Sequence, residues 1–157
     1  MRHRLRRGTL EPVIDLATGE LLTIAGERIG PATALETFRA SSPGAGALEI
    51  AHDGAWHAYR LMCAERPGRL FAVVLDFEGS RLADLKLALW SRRYGGARGD
   101  WSLDKERARK RAHDQVLASL FGSLPPYDLY WGRIESLVGA DGGTSVIWMH
   151  YWAMLQA

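Results

Sequence analysis

Residues 48–90 read LEIAHDGAWHAYRLMCAERPGRLFAVVLDFEGSRLADLKLALW, and this stretch decides the fold. Its apolar residues recur with a period of two, the mark of strands with one buried face. Leu48 to His52 stops at Asp53-Gly54, a short-turn pair. Trp56 to Glu65 follows, with His57, Tyr59, Leu61 and Cys63 alternating against Trp56, Ala58, Arg60 and Met62. Arg66-Pro67-Gly68 turns the chain, and Leu70 to Glu78 returns with Phe71, Val73, Leu75 and Phe77 on one face. Gly79-Ser80 turns it again, and Arg81 to Trp90 carries Leu85, Leu87 and Leu89 on one face. Leu82 to Leu89 also admits a reading as a helical turn or two. Four consecutive antiparallel strands are the expectation.

Working outward, residues 91–100 lose apolar periodicity and read as a loop. Ser102 is placed to cap a helix from Leu103 to Phe121, with Asp104 and Glu106 in the first turn, where the helix dipole favours anions. Ala112, Val116 and Leu120 form one apolar row, and His113, Leu117 and Phe121 the next. Gly122 and Pro125-Pro126 end it. Leu129 to Val138 and Ser145 to Trp152 then form a hairpin. Upstream, Val13–Leu16 and Glu20–Ile24 flank a turn at Ala17-Thr18-Gly19. Pro31 opens a short helix through Ala40, with Leu35 and Phe38 facing inward, and residues 41–46 end it. The expected fold is α+β: an antiparallel sheet of about five to six strands with one long helix on a face, plus a small N-terminal hairpin and short helix. Residues 12–157 read as one domain behind a flexible basic tail, 1–11.

Composition agrees with one ordinary domain of 157 residues, 47% apolar and 24% charged. A chain this long builds a core without disulfides or metals. The net charge is +2, but four arginines lie in the first seven residues, and without them sixteen bases face eighteen acids. The body is therefore mildly acidic, which weakens a nucleic-acid reading based on charge alone. Seventeen of the twenty bases are Arg, a usage that points to a bacterial source. The single cysteine, Cys63, excludes an internal disulfide and reads as a small buried hydrophobe. No apolar stretch reaches the ~18 residues of a membrane span, and no apolar segment follows the basic start, so a cytoplasmic location is expected.

Catalytic motifs are sparse. There is no Walker loop, no G-x-S-x-G elbow and no H-E-x-x-H helix. Gly95-Gly96-Ala97-Arg98-Gly99 is glycine-rich but lacks the phosphate-binding Lys-Ser/Thr. His52, Asp53 and His57 flank one turn and can approach each other, as polar residues do in most hairpins. His113 lies at the margin of the helix's apolar stripe, a position that suits a satisfied boundary residue more than a catalyst. Asp76, Glu78 and Asp84 could form paired carboxylates, or simply a solvated strand face. No catalytic residue, metal or cofactor is assigned. The run Lys105 to Arg111 holds five bases and one acid, so Arg107, Arg109, Lys110 and Arg111 are candidates for a phosphate-binding surface.

Six tryptophans are the unusual part of the composition. Strand parity places Trp148 and Trp152 with His150, opposite Met149 and Tyr151. If Met149 and Tyr151 meet the helix, the tryptophans face away, either exposed to a partner or covered by the N-terminal hairpin and short helix. The C-terminal third resembles a family of small bacterial proteins of uncharacterised function. The matching residues are Trp101-Ser102, the basic helix with His113, Tyr127, Trp131-Gly132-Arg133-Ile134-Glu135-Ser136, Asp141 to Ser145, Ile147 and Tyr151. The resemblance extends over about residues 50–152 and transfers no active site. Small bacterial proteins of this kind look like immunity proteins of toxin–immunity pairs, an analogy of size and architecture.

Immunity proteins against nucleases are often strongly acidic; this body is not, so a highly basic nuclease is not the expected target. The resulting expectation is a non-enzymatic protein-binding domain that neutralises a cognate toxin, for which a neighbouring gene is the first place to look. Trp131, Arg133, Trp148 and Trp152 are the expected contact residues, and Trp and Arg are enriched at binding hot spots. The alternative is nucleic-acid binding through the basic helix.

Overall fold

The computed structural model describes residues 14–23, 26–66, 69–94, 101–138 and 143–153, with only the backbone for 62–66, 69, 70 and 92. The basic tail, the glycine-rich loop and the Cys63 side chain lie outside that description. The chain begins with three short strands, β1 (Ile14–Asp15), β2 (Glu20–Leu22) and β3 (Arg28–Ile29). They form an antiparallel sheet in the order β1-β2-β3, one strand more than the expected hairpin. Two short helices follow, α1 (Leu35–Ala40) and α2 (Ser42–Ala45). Leu35 and Phe38 of α1 are buried as expected, whereas α2 occupies residues read as a simple break.

Four long strands come next: β4 (Leu48–Asp53), β5 (Trp56–Arg66), β6 (Arg69–Glu78) and β7 (Arg81–Trp90). Phe71, Val73, Leu75 and Phe77 of β6 and Leu85, Leu87 and Leu89 of β7 are buried together. Strand geometry therefore holds for Leu82–Leu89, and the helical alternative is excluded. The long helix α3 (Leu103–Phe121) leads to β8 (Tyr127–Leu129), β9 (Gly132–Leu137) and β10 (Val146–Tyr151). All seven strands join one antiparallel sheet in the order β4-β5-β6-β7-β10-β9-β8.

The sheet is wider than expected because Tyr127–Leu129 is a strand of its own and the expected Leu129–Val138 strand begins only at Gly132. Leu129 pairs with Gly132, so Tyr130 and Trp131 form a two-residue turn between them. Gly132 is required there: a Cβ would collide with the His150 carbonyl of β10.

Ser102 caps α3 by accepting a hydrogen bond from the Lys105 amide (3.2 Å), and Gly122 closes it with φ 75°. Val116 and Leu117 of α3 are buried against the β7–β10–β9 part of the sheet. The other half of the same face is covered from the N-terminal side. Phe38 of α1 packs on Phe77 and Tyr59, with ring centroids 5.4 and 5.3 Å apart. Ile14, Leu21 and Ile29 of the small sheet belong to the same core. Burying one such side chain fully contributes about 1.5–3 kcal/mol, so one-sided coverage of the long strands fixes which sheet face is inside.

Candidate functional site

The opposite face of the seven-stranded sheet carries the candidate surface. Strand register sets its rows. Ala58, Asp76, Asp84, His150, Arg133 and Asp128 lie side by side across β5, β6, β7, β10, β9 and β8. The adjacent row is Arg60, Val74, Lys86, Trp148 and Glu135. Apart from Asp84, the side chains of these rows are partly or fully exposed. The small sheet and α1 pack on the other face, so the N-terminal hairpin and short helix do not cover the tryptophans, and no described element lies over that face.

Aromatic groups on this face are held rather than loose. Trp148 donates its indole N–H to Asp84 Oδ1 (2.9 Å), and His150 Nδ1 lies 2.6 Å from the same oxygen. Asp84 is 9% exposed, so its carboxylate is a fixed post between two aromatic side chains. The His150 ring is 5.6 Å from Trp148 and 5.9 Å from Trp152. Trp152 donates to the Leu129 carbonyl (3.0 Å). Arg133 is clasped by Glu135 (2.9 Å) and Asp128 (2.9 Å), and these carboxylates raise the pKa of its guanidinium above the ordinary value. Trp56 and Trp90, on the same face by register, are 45% and 42% exposed. Asp84, His150, Trp56 and Trp90 were not singled out from the sequence for this surface, although strand parity was the signal that could have found them.

Trp131 does not belong to this surface. It is 1% exposed, donates to the Leu16 carbonyl (2.9 Å) and packs on Tyr151 at 5.6 Å. A Cβ on Gly19 would come within 2.6 Å of its ring, so glycine lets the β1–β2 turn seat on the indole. Tyr151 adds a hydrogen bond from its hydroxyl to the Gly19 carbonyl (2.7 Å). Trp131 thus joins the small sheet to the large one, and no partner can reach it in this arrangement.

The basic helix is also divided by burial. Arg107 and Arg111 are exposed, but Arg109 is 2% exposed and Lys110 is paired with Asp114 (2.7 Å). Arg109 donates to both oxygens of Glu106 (2.6 and 2.7 Å), to the Leu89 carbonyl (3.0 Å) and to the Tyr94 carbonyl (3.1 Å). Glu106 in turn accepts from the Ser145 amide (2.6 Å), and Ser145 Oγ donates to the Glu106 carbonyl (2.7 Å). This buried network ties α3 to the ends of β7 and β10. Arg109 cannot serve a phosphate while it does so. The signal was available in the spacing 106-109-113-117, which extends the apolar stripe toward the N-terminus of α3.

The histidines separate as well. His113 is fully buried, and its Nε2 accepts from the Leu89 amide (3.0 Å). That contact uses the lone pair a general base would need. Burial, reinforced by Arg109, lowers its pKa to about 4, so it is a neutral structural group at pH 7. His52 and His57 are cross-strand partners whose rings stack at 4.1 Å. Asp53 pairs with Trp56, on the other face from them. Asp76 is bound to Lys86 (2.6 Å) and Glu78 to Arg81 (2.9 Å), so the carboxylates of this region are individually partnered.

No family model matches the chain, and no curated protein matches its sequence. Among solved structures, the fold is similar to a chain from the complex described as "Rhs1-CT in complex with cognate immunity protein RhsI1". The TM-score is 0.55 at 16% identity, covering 88% of this chain and 85% of that one. At that identity the likeness speaks for the fold. Among the described residues no helix is long and apolar enough to cross a membrane.

Proposed function

We propose that this chain is a protein-binding domain of immunity type, which acts in the cytoplasm by neutralising a cognate toxin. The carrying observation is the open sheet face, where Trp148, His150 and Trp152 stand in a fixed row beside Arg133. Half-buried aromatics with one polar handle satisfied lose little rotamer freedom on binding and offer large contact area. The likeness to a complex that contains a cognate immunity protein supports the same reading. Arg133, Trp148 and Trp152 remain contact candidates, His150 joins them, and Trp131 does not.

Nucleic-acid binding has weaker support, because burial removes Arg109 from the basic run and Asp114 neutralises Lys110. The test uses the protein as bait in its native host at low and high salt. The expected result is a stoichiometric protein that stays bound in high salt, is toxic when expressed alone, and is neutralised by co-expression with this chain. Loss of both capture and protection in Trp148→Ala/Arg133→Ala places the contact on this face. Recovery of nucleic acid that washes off with salt, with no such protein, overturns the proposal.

A further inference from the structure

We infer that Glu49, His52 and His57 form a binding site for a divalent transition-metal ion of the zinc class at the β4–β5 end of the sheet. Their candidate ligand atoms lie within 4.8 Å of one another. A β-bulge brings them together. Glu49 pairs with Tyr59 and His52 with His57, with the register shift between Glu49 and Ala51. Glu49 and His52 are three residues apart and would point to opposite faces of a regular strand. The extra residue at the bulge puts both on one face, which is how bulges re-aim side chains at sites. Two imidazoles and a carboxylate are a donor set that suits zinc and its neighbours.

The local hydrogen bonds pre-set the ligands. His52 Nε2 lies 3.1 Å from the Gly54 carbonyl, which only accepts, so Nε2 carries the proton and Nδ1 presents its lone pair. A backbone carbonyl holding the distal N–H is the usual outer-shell partner of a metal-bound histidine. His57 Nδ1 donates to Glu49 Oε1 at 2.8 Å, which already holds these two side chains together. Zinc would take the place of that proton, and its tetrahedral ligand–ligand edge of about 3.3–3.4 Å asks the pair to open by only about half an ångström. His52 and Glu49 are exposed, so closing the remaining gap needs only side-chain rotation. One feature opposes the ion. The Arg39 guanidinium, held by Tyr59 (2.8 Å) and Glu36 (2.7 Å), sits 3.4 Å from His57 Nδ1. The site is therefore weakened by a neighbouring cation, and the test can exploit that.

The experiment is calorimetric titration of the untagged full chain with zinc chloride in a non-coordinating buffer, alongside thermal unfolding with and without the ion. Saturable binding is expected, together with a zinc-dependent rise in Tm. His52→Ala and Glu49→Gln weaken the affinity by about tenfold or more and abolish the rise in Tm. Arg39→Gln tightens binding by about 3–10-fold by removing the adjacent positive charge. His150→Asn, on the other face, leaves the binding unchanged. All four positions are partly or fully exposed, and circular dichroism verifies the fold of each variant. No saturable heat in the wild type, or wild-type affinity in both His52→Ala and Glu49→Gln, overturns the assignment.

Discussion

Arg109→Met is the perturbation that tests the division of the basic helix most directly. Arg109 and Glu106 side chains are each 3% exposed, and four hydrogen bonds run from the guanidinium to described residues, two of them to the one carboxylate. Methionine fills a similar volume, so packing is nearly conserved. What changes is charge: Glu106 is left buried with the Ser145 amide as its remaining described donor, and the Leu89 and Tyr94 carbonyls lose a donor each. Breaking a buried pair from one side is destabilising by about 3–5 kcal/mol. Against a total stability of about 5–15 kcal/mol, that is a large share. For a urea m-value of ~2 kcal/mol/M it lowers the midpoint by about 1.5–2.5 M, and for a domain of this size it lowers Tm by about 6–20 °C.

The companion variant Glu106→Leu/Arg109→Met removes both charges and should recover part of the loss. Recovery is incomplete because the Leu89 and Tyr94 carbonyls still lack the Arg109 donor and the Ser145 amide now loses the Glu106 carboxylate, at about 1–3 kcal/mol for each group that neither water nor another partner reaches. Arg107→Met, one turn face away and exposed, should stay within about 0.5 kcal/mol of wild type. Urea unfolding followed by far-UV circular dichroism reads all three. An Arg109→Met stability within about 1 kcal/mol of wild type, or equal destabilisation by Arg107→Met and Arg109→Met, refutes the buried pair as a determinant of stability.

Trp131→Ala should lose about 3–5 kcal/mol, because it empties the joint between the two sheets, while the half-buried Trp148→Ala loses much less; denaturant midpoints compare them. Gly19→Ala should destabilise by more than about 1 kcal/mol, since it forces a side chain into positive φ and into the Trp131 ring, and thermal unfolding checks it. His113 is held neutral in the fold with its pKa lowered to about 4, so the unfolded chain binds more protons from there up to about 6.5. Its contribution is fully present above pH 6.5, declines as the pH falls, and is lost near pH 4; a pH series of urea midpoints should flatten in His113→Gln over that window. On the partner side, Trp148→Ala and Arg133→Ala should each weaken toxin binding by about 30-fold, and Arg107→Gln/Arg111→Gln should not change it, as read by titration calorimetry.

The fold was legible where one periodicity ran uninterrupted. Residues 56–90 alternate over most of their length, and three strands lie there with Tyr59, Leu61, the Phe71–Phe77 row and Leu85, Leu87 and Leu89 inward; the alternation slips at Leu82, where the sequence also admits a helical reading. Ser102 and Gly122 mark the ends of α3 because capping chemistry is local. The sheet's extra strand was hidden because Leu129 to Val138 holds no glycine or proline signal at Tyr130-Trp131, and the turn is fixed by tertiary contact instead. Trp131 was misplaced for the same reason: read as a strand residue it has a parity, but in a turn it has none, and it folds back onto Leu16 and Tyr151. In the basic run, net charge hides the helical phase that divides its residues between surface and interior. Glu106 and Arg109 lie on the stripe that Leu117 continues, so one acid and one base of that run belong to the interior.

The candidate surface was legible in direction and not in detail. Alternation in Val146–Tyr151 separates Trp148 and His150 from Met149 and Tyr151, and that much follows from the chain alone. The carboxylate that fixes Trp148 and His150 comes from Asp84, sixty-four residues earlier, and reaches them only because β10 inserts beside β7. Glu49 and His52 are the converse case, near in sequence yet brought onto one face by a bulge that no residue type announces. In both places the chemistry depends on strand pairing. The inner face of the sheet tolerates little ambiguity, because a register slip would expose every buried side chain. That constraint fixes the backbone places of the outer row too, and hydrogen bonds to Asp84, Asp128 and Glu135 orient Trp148, His150 and Arg133 there. If the proposed toxin docks on this face, groups oriented in advance lower the ordering cost of a tight and specific contact.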